Sequence, residues 1–520
     1  MLKKLLTGLA AAAIAALPAG AQQDGKDLSL RDCILIALRN NLGVHLAVLG
    51  PELAATNLEW AKEKFLPRLA FGYSTQNTSS ASYSWIEAAG SVKGQYADLS
   101  ASISQSIPTG GSISASLSGY KSESNLKFQT INPRFGSTLS FAVNQPVLRN
   151  FGPKMSRREI IISQNNRDIS ESQLQAVLLE TIFNVEQSYL NLIYAIENLS
   201  VKQRSLELAK DLVSKNRREV EVGMVAPIEL LSAEAEVATR EADILQAEVA
   251  VANSEDLLKT VINIEAEEGG GAPQIVPSDK PNQEPRTIRV DEALAAAIAN
   301  RPDLQATRIG LKNKELNVSY AKNQVLPDLN VYASYWSPGL SGTQILYLNN
   351  DPLSGAVIGT LPGGAGTALS RALGLTYSNW SVGVQLNVPV SSLLTRSQYE
   401  ASKISYEQSL VDLAELEQRI FLEIRTAVRA VETGYKRVLA YRAARELAEN
   451  KLSAEEKKLA VGLTTNYVVL QYQRDLADAR TAELRAIIEY NLALAYLDKS
   501  LGTSLASKGL DFRPAVKKEG

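Results

Sequence analysis

Two long stretches of the chain carry apolar residues at helical spacing. Residues 154–222 contain neither Gly nor Pro, and residues 391–461 contain no Pro and only Gly434. Apolar residues such as Leu178, Ile182 and Val185 recur at three- and four-residue steps, the spacing with which one helix packs along another. At about 1.5 Å per residue, each helix would be on the order of 100 Å long. The pattern predicts two long coiled-coil helices.

Each predicted long helix ends at a glycine and then reverses. The two ends read Val222-Gly223-Met224-Val225 and Val461-Gly462-Leu463-Thr464. Glycine fits the left-handed C-cap of a helix, and Pro227 and Thr465 suit the start of a returning helix. Returning helices are predicted to run to about Ile264 and about Ser500, so each half of the chain ends in a helical hairpin.

Between the helical stretches, the apolar period changes to two. Residues 69–74 and 329–334 alternate in this way directly after a Leu-Pro pair, and residues 139–147 and 382–390 alternate further along. They are predicted strands with one apolar and one polar face. The alternation fits a sheet on a soluble core. It fits equally a membrane barrel with lipid outside and water inside.

The segments between these strands differ in the two halves. Residues 99–107 and 112–120 alternate on either side of Pro108-Thr-Gly-Gly, which predicts a hairpin. The second half has instead a Gly-, Pro- and Ser-rich segment, 337–379, predicted to be a long loop. Four strands per chain would give twelve in a trimer, and the hairpin would raise this to eighteen. We favour twelve, with the hairpin outside the membrane.

The two halves follow one plan, which predicts an internal two-fold repeat. Residues 30–74 align without a gap with residues 290–334, and each segment reads as a short helix, a break and a longer helix. Residues 267–287, rich in Gly and Pro, are a predicted linker. The predicted repeats are therefore residues 22–266 and 288–520.

The N-terminus indicates export. Lys3 and Lys4 precede an apolar run that ends at Leu17, and Ala19-Gly20-Ala21 is a small-residue cleavage site. The run is too short to cross a bilayer, so residues 1–21 are predicted to be a signal peptide.

Composition gives little support to catalysis or nucleic-acid binding. A formal net charge of −2 leaves no electrostatic footprint for nucleic acid. The single cysteine, Cys33, and the single histidine, His45, cannot assemble a metal cage or a Cys/His nucleophile. Cys33 is predicted to be a small buried side chain on a helix. We expect no enzyme activity, no catalytic residue, no cofactor and no metal site.

In their order, these motifs resemble the TolC family of outer-membrane efflux proteins over nearly the whole mature chain. The more specific ones are Leu28-Ser-Leu-Arg-Asp, Asn300-Arg-Pro-Asp, the junctions Gln145-Pro146 and Val388-Pro389, and the two Val-Gly tips. The resemblance implies a TolC-like α+β membrane protein, a homotrimer with a β-barrel in the outer membrane and an α-helical coiled-coil barrel through the periplasm.

The resemblance also implies a function and partners. The chain would be the passive exit duct of a tripartite efflux or type I secretion system in a Gram-negative bacterium. Its partners would be a periplasmic adaptor (membrane fusion protein), an inner-membrane pump or ATPase, and outer-membrane lipid. The cargo is not specified by the sequence.

Two sites at the hairpin tips follow from the same resemblance. Adaptor docking would fall on Val461, Gly462, Leu463 and Thr464, and more loosely on Val222, Gly223, Met224 and Val225. The periplasmic aperture, often ringed by acids in the family, would fall on Glu229, Val468 and Gln471. Since only one of these three is acidic, a strongly anionic constriction is not implied. Glu229 is equally explained as a helix N-terminal acid favoured by the macrodipole.

A structural protein is the main alternative. A periplasm-spanning coiled-coil spacer or adhesin would account for the long helices. It would not account for two-faced strands and Leu-Pro stops that occur at matched positions in both halves.

Overall fold

The computed structural model describes residues 26–510, except for 85, 86, 88, 89, 225 and 265–273. The predicted signal peptide, 1–21, lies outside the described residues. The described residues form two compact units: those within 1–48, 173–303 and 417–520 make up the first, and those within 49–172 and 304–416 make up the second. Each unit therefore contains segments from both halves of the sequence.

Helices account for most of the described elements. They are α1 (Leu30–Asn40), α2 (Leu42–Glu63), α3 (Pro153–Ser156), α4 (Arg158–Glu221), α5 (Pro227–Ile262), α6 (Val290–Asn300), α7 (Pro302–Gln324), α8 (Ala365–Leu373), α9 (Leu393–Ala460), α10 (Asn466–Leu501) and α11 (Ser504–Ser507). The strands are β1 (Lys26–Leu28), β2 (Arg68–Ala81), β3 (Ser91–Ser106), β4 (Ser112–Ser124), β5 (Ile131–Pro146), β6 (Ile275–Pro277), β7 (Asp328–Tyr347), β8 (Val357–Leu361) and β9 (Asn379–Asn387).

The predicted long helices and their returning partners are confirmed. Helix α4 has 64 residues and α9 has 68, and each is followed by a returning helix of 36 residues. Good helix formers fill these runs, and no Pro interrupts them. Helices α2 and α7 both end just before a Leu-Pro pair, and a strand begins directly after it.

The core of the first unit surrounds α1. Cys33 is fully buried there, as predicted, and burial raises the pKa of its thiol to about 12. Apolar side chains of α4, α5, α10 and β6 pack into the same cluster, among them Ile182, Leu258 and Ile275. The Tyr189 hydroxyl donates a hydrogen bond of 3.0 Å to the Leu28 carbonyl, so β1 is fixed to α4.

The break between α1 and α2 is tied to the end of a returning helix. The Asn41 side-chain amide donates to the Val261 carbonyl at the end of α5, at 2.9 Å. Its Oδ1 accepts from the backbone N–H of Gly43, at 2.8 Å, and of Val44, at 3.2 Å. One side chain therefore caps α2 and holds α5 beside it.

The break between α6 and α7 makes the equivalent connection with a different residue. Arg301 binds both carboxylate oxygens of Asp303, at 3.0 and 2.8 Å. Its Nη1 also donates to Glu423 on α9, at 2.7 Å, and to the Ser500 carbonyl near the end of α10, at 3.3 Å. Carboxylate hydrogen bonds and charges raise the pKa of Arg301 although burial alone would lower it. Pro302 starts α7, a position where its missing N–H costs no helical hydrogen bond.

A single antiparallel sheet dominates the second unit. Its order is β2-β3-β4-β5-β7, and the far side of β7 pairs with β9 over residues 328–336 and with β8 over residues 344–347. The hairpin predicted around Pro108 is β3–β4, and it lies in the middle of the sheet. The expectation of four strands per chain is therefore wrong. The apolar residues of β3 and β4 lie on the same face as those of β2 and β5. With the hairpin included, the sheet has six long strands.

The prediction of a long loop over residues 337–379 is also wrong. Strand β7 continues to Tyr347, and β8 and α8 follow. Helix α8 packs on β7 and β5. The small residues that suggested a loop, such as Ser337 and Gly339, instead allow a helix to approach the sheet closely.

In the part of the chain that the structure describes, no single helix has the length and apolar content to span a membrane. Helices α1 and α2, which bend by 53° at their break, meet that criterion only when they are taken together.

Replacing Arg301 tests the connection at the α6–α7 break. Arg301→Gln should lower the free energy of unfolding by about 2 kcal/mol, because Asp303 and Glu423, which are partly exposed, lose a charged partner that is only 14% exposed. The control Arg289→Gln removes an exposed arginine whose carboxylate distances are 3.7 and 4.0 Å, and should change it by less than about 0.5 kcal/mol. Thermal unfolding in detergent measures both, and equal midpoints for the two variants would contradict the assignment.

Candidate functional site

The two helical tips have the same backbone geometry. Gly223 and Gly462 have left-handed φ angles of 75° and 73°. The Met224 N–H bonds to the Glu219 carbonyl at 2.8 Å, and the Leu463 N–H bonds to the Lys458 carbonyl at 3.0 Å. These bonds close each helix in a Schellman-type cap, which requires a residue that tolerates positive φ. The predicted glycine C-caps are confirmed.

Both tips expose large apolar side chains. Val222 and Met224 are 69% and 78% exposed at the first tip, and Val461 and Leu463 are 69% and 77% exposed at the second. Apolar side chains left in water at matched positions mark a surface suited to a protein partner. The remaining predicted docking residue of the first tip, Val225, lies outside the described residues.

At the second tip, two polar side chains contact one carboxylate of the preceding helix. Thr464 is half-buried, and its hydroxyl bonds to the Glu455 carboxylate. Lys458 lies 3.0 Å from the same carboxylate. Together these contacts hold the pKa of Glu455 below its usual range. Helix α10 then starts at Asn466 after the N-cap residue Thr465, whose side chain makes no capping bond.

The residues predicted for the aperture lie within the first two turns of the returning helices. Glu229 is half-buried in the first turn of α5, and its Oε2 has no hydrogen-bond partner among the described residues. Val468 is half-buried on α10, and Gln471 is exposed. An aperture would form between copies of the chain, so these positions remain predictions.

A buried polar cluster joins the two hairpins a few turns from the tips. Arg240 on α5 is 5% exposed, and it donates to Glu236 at 2.9 Å and to the Ser205 carbonyl of α4 at 2.6 Å. It also reaches Gln473 on α10, and Arg474 of α10 contacts the other oxygen of Glu236. Burial would raise the pKa of Glu236, but hydrogen bonds from the two arginines outweigh it and lower that pKa.

Sequence reasoning did not find this cluster. The available signal was a Glu236–Arg240 pair at i,i+4, which is most often an exposed ion pair on a helix surface. Only the position of α10 turns the pair into a buried one. In the structure it connects α4, α5 and α10.

The second candidate site is the apolar face of the sheet. The pairing register places the alternate apolar residues of all six long strands on the same face. They are Leu69, Phe71, Tyr73, Leu99, Ala101, Ile103, Ile113, Ala115, Leu117, Leu139, Phe141, Val143, Leu329, Val331, Ala333, Tyr335, Trp380, Val382, Val384 and Leu386. Several are strongly exposed: Phe71 is 79% exposed and Trp380 is 74% exposed. Such a face requires an apolar environment.

The opposite face is polar or small. Serines from all six long strands line it, and some of them bond to one another across the sheet. The Ser116 and Ser140 hydroxyls are 2.6 Å apart, and those of Ser334 and Ser381 are 2.8 Å apart. Ser74 bonds to the Asp98 carboxylate on the same face. This face suits contact with water.

A family model described as outer membrane efflux protein matches residues 152–263 and 293–503, more than half of the chain. The chain belongs to the outer membrane efflux protein family. It is accordingly an outer-membrane exit channel of an efflux system in a Gram-negative bacterium, and it reaches into the periplasm. Members of this family are channels rather than enzymes.

Individual relatives agree with this assignment. The efflux protein is 23% identical over 391 residues to outer membrane protein TolC of Vibrio cholerae serotype O1, a match that covers 74% of this chain and 81% of TolC. It is 22% identical to the outer membrane efflux protein BepC of Brucella suis, over 70% of this chain and 71% of BepC. Its fold matches the Campylobacter jejuni CmeC outer membrane channel with a TM-score of 0.61 and 16% identity, over 95% of this chain and 90% of CmeC.

Changing the buried carboxylate tests the cluster between the hairpins. Glu236→Gln should destabilise the efflux protein at neutral pH by on the order of 2 kcal/mol; the full cost of breaking a buried pair is higher, but Arg474 is exposed. Because the folded-state pKa of Glu236 is lowered, its contribution is present above the usual value of 4.5 and is lost as the pH falls through the lowered value. The variant should therefore lose less stability than the wild type on acidification.

Thermal midpoints measured from neutral to acidic pH decide this point. Glu241→Gln is the matched control, since Glu241 lies on the same helix in an exposed pair with Lys210. It should behave as the wild type. A pH profile of Glu236→Gln parallel to that of the wild type would refute the assignment.

Proposed function

We propose that the efflux protein works as a homotrimer in which three sheets close one barrel. The observation that carries this proposal is the pair of open sheet edges, β2 on one side and β9 on the other. Among the described residues, no strand pairs with the outer side of either. Unpaired backbone groups are not tolerated in lipid, so both edges need partners.

The direction of the two edge strands suits this closure. Each of the six long strands is antiparallel to its neighbour, so β2 and β9, at the two ends of the series, run in opposite directions. The β2 edge of one copy is therefore antiparallel to the β9 edge of the next. With six long strands per chain, three copies would give eighteen strands. The apolar face would meet lipid, and the serine-lined face would border a watery lumen.

The tips are proposed to dock a periplasmic adaptor, which in turn works with an inner-membrane pump or ATPase. Four large apolar side chains at two identical helix caps support this assignment. The second tip, Val461 to Thr464, is the stronger candidate, because the hydrogen bond between Thr464 and Glu455 holds it in place. Glu229, Val468 and Gln471 are proposed to border the periplasmic aperture of the trimer.

The two halves of the chain are proposed to be an internal repeat, 22–266 and 288–520, joined by the linker 267–287. The support is positional equivalence. Asn41 and Arg301 both reach the end of a returning helix, α5 and α10 respectively. Those helices both end in a left-handed residue, Asn263 and Gly502.

Trimer assembly and conductance test the proposal together. Outer-membrane fractions should yield heat-resistant trimers that conduct in planar bilayers. A cysteine at Phe71 or Tyr73 on β2, combined with one at Val382 or Val384 on β9, should give oxidised trimers when the two sites face each other within disulfide reach. Native Cys33 does not interfere, because it is buried and its thiol pKa is about 12.

The matched control places the second cysteine on an interior strand. Phe71→Cys with Phe141→Cys, both on the apolar face, should give no cross-linked trimer. A soluble periplasmic monomer would end the proposal. So would cross-linking of the control pair without cross-linking of any β2–β9 pair.

Substitutions at the second tip test adaptor docking separately. Leu463→Asp and Thr464→Arg place a charge on the exposed tip and should abolish export while trimers still assemble. Leu463→Met keeps an apolar side chain and should export normally. Export is measured as drug or dye accumulation in cells, with trimer content checked in membrane fractions. Normal export in both charged variants would remove the docking assignment.

A further inference from the structure

Helix α8 rests directly on the sheet. It crosses β7 at Gly339, where an added side chain would collide with the Ala368 carbonyl and lie 2.8 Å from the Ala372 nitrogen. Ala368 and Ala372 are fully buried against the sheet. Arg371 then fastens the helix, because its Nη1 donates to the Leu340 carbonyl at 2.6 Å.

The helix lies on the apolar face, not on the serine-lined one. Ser337, Gly339 and Ser341 alternate along β7 in phase with Val331 and Tyr335, so they point to the same side. On this face, the next cross-strand pair toward the start of β7 is Tyr335–Trp380. It is the last apolar pair that β7 shares with β9. Aromatic girdles mark the edges of the apolar band in outer-membrane barrels. Helix α8 therefore sits at the band edge that is distal to the start of β7.

The two flanks of α8 differ in polarity. Leu369 and Leu373, four residues apart, are 37% and 52% exposed on one flank. Thr367 and Arg371, also four residues apart, are exposed on the other. Arg371 bonds to Leu340, one residue farther from the apolar band than Gly339. The leucine flank consequently faces back toward the band.

We propose that α8 is an interfacial helix on the outside of the barrel, with Leu369 and Leu373 among the acyl chains of the outer leaflet and the Arg371 flank toward the headgroups. The inference rests on the proposed orientation of the sheet, with its apolar face to lipid. It assigns a membrane-contact role to the segment between β8 and β9. Continuity with the apolar face and the opposed flanks fit a helix lying in the plane of the interface.

Lipid fits this place better than a second copy of the chain does. Helix α8 contacts β7, β5 and β4, which extend away from the β9 edge. It therefore covers interior strands, whereas a neighbouring copy would join at the β2 and β9 edges.

Fluorescence quenching in reconstituted channels tests the proposal. Single cysteines at Leu369, Leu373 and Thr367 carry an environment-sensitive dye in phosphatidylcholine–phosphatidylglycerol vesicles. Phe141→Cys on the apolar face and Ser118→Cys on the serine-lined face are the reference sites. Quenching by a nitroxide on the lipid acyl chain is compared with quenching by iodide in the water. The acyl-chain nitroxide should quench the dyes at Leu369 and Leu373 severalfold more than the dye at Thr367. It should quench them to an extent comparable to the dye at Phe141.

The other outcomes separate the two levels of the argument. Lipid quenching at Phe141 with only iodide quenching at Leu369 and Leu373 would overturn the role of α8 and leave the sheet orientation intact. Protection of both leucine sites from both quenchers would place protein over them, and would also overturn it. Iodide quenching at Phe141 with lipid quenching at Ser118 would overturn the orientation of the sheet itself.

Discussion

The backbone hydrogen bonds of one antiparallel sheet set the conditions for the rest of this protein. Inside the sheet, each long strand is paired on both sides, whereas β2 and β9 each leave one side open. A membrane offers no water to satisfy those groups, which is why we propose that further copies of the chain pair with both edges. The alternation of side chains adds the second constraint, because one face is apolar and the other is lined with serine. The apolar face exposes Phe71 and Trp380, and contact with lipid in the outer membrane would cover them.

In the helical part, the long helices must be held in alignment with one another. Side chains at the breaks between two short helices do this by bonding to the ends of the returning helices. Asn41 does so with an amide that also caps α2, and Arg301 does so with a guanidinium that binds two carboxylates. Asn41 and Arg301 thus hold the ends of α5 and α10 through an amide and a guanidinium, respectively. The buried Glu236–Arg240 pair extends this logic toward the tips, where it connects both hairpins while Val222, Met224, Val461 and Leu463 stay in water.

Helix α8 shows how small residues act in this sheet. Gly339 and the serines on either side of it have little volume, so Ala368 and Ala372 of α8 can pack directly against the sheet there. The same composition would be flexible in a free loop. Here, close contact between helix and strand fixes it, and leaves two leucines exposed on one flank.

The sequence by itself determined the long helices, their reversals and the points where helices give way to strands. Helix-forming runs without proline specify α4 and α9, Leu-Pro pairs specify where helices give way to strands, and Gly223 and Gly462 specify the reversals, because these are local backbone preferences. Only the tertiary structure decided which elements meet. The β3–β4 hairpin joins the sheet, residues 337–379 fold onto it, and Arg240 is buried, because each outcome depends on partners far away in the chain. Alternation and i,i+4 spacing describe one strand or one helix, and they carry no information about the neighbour that completes it.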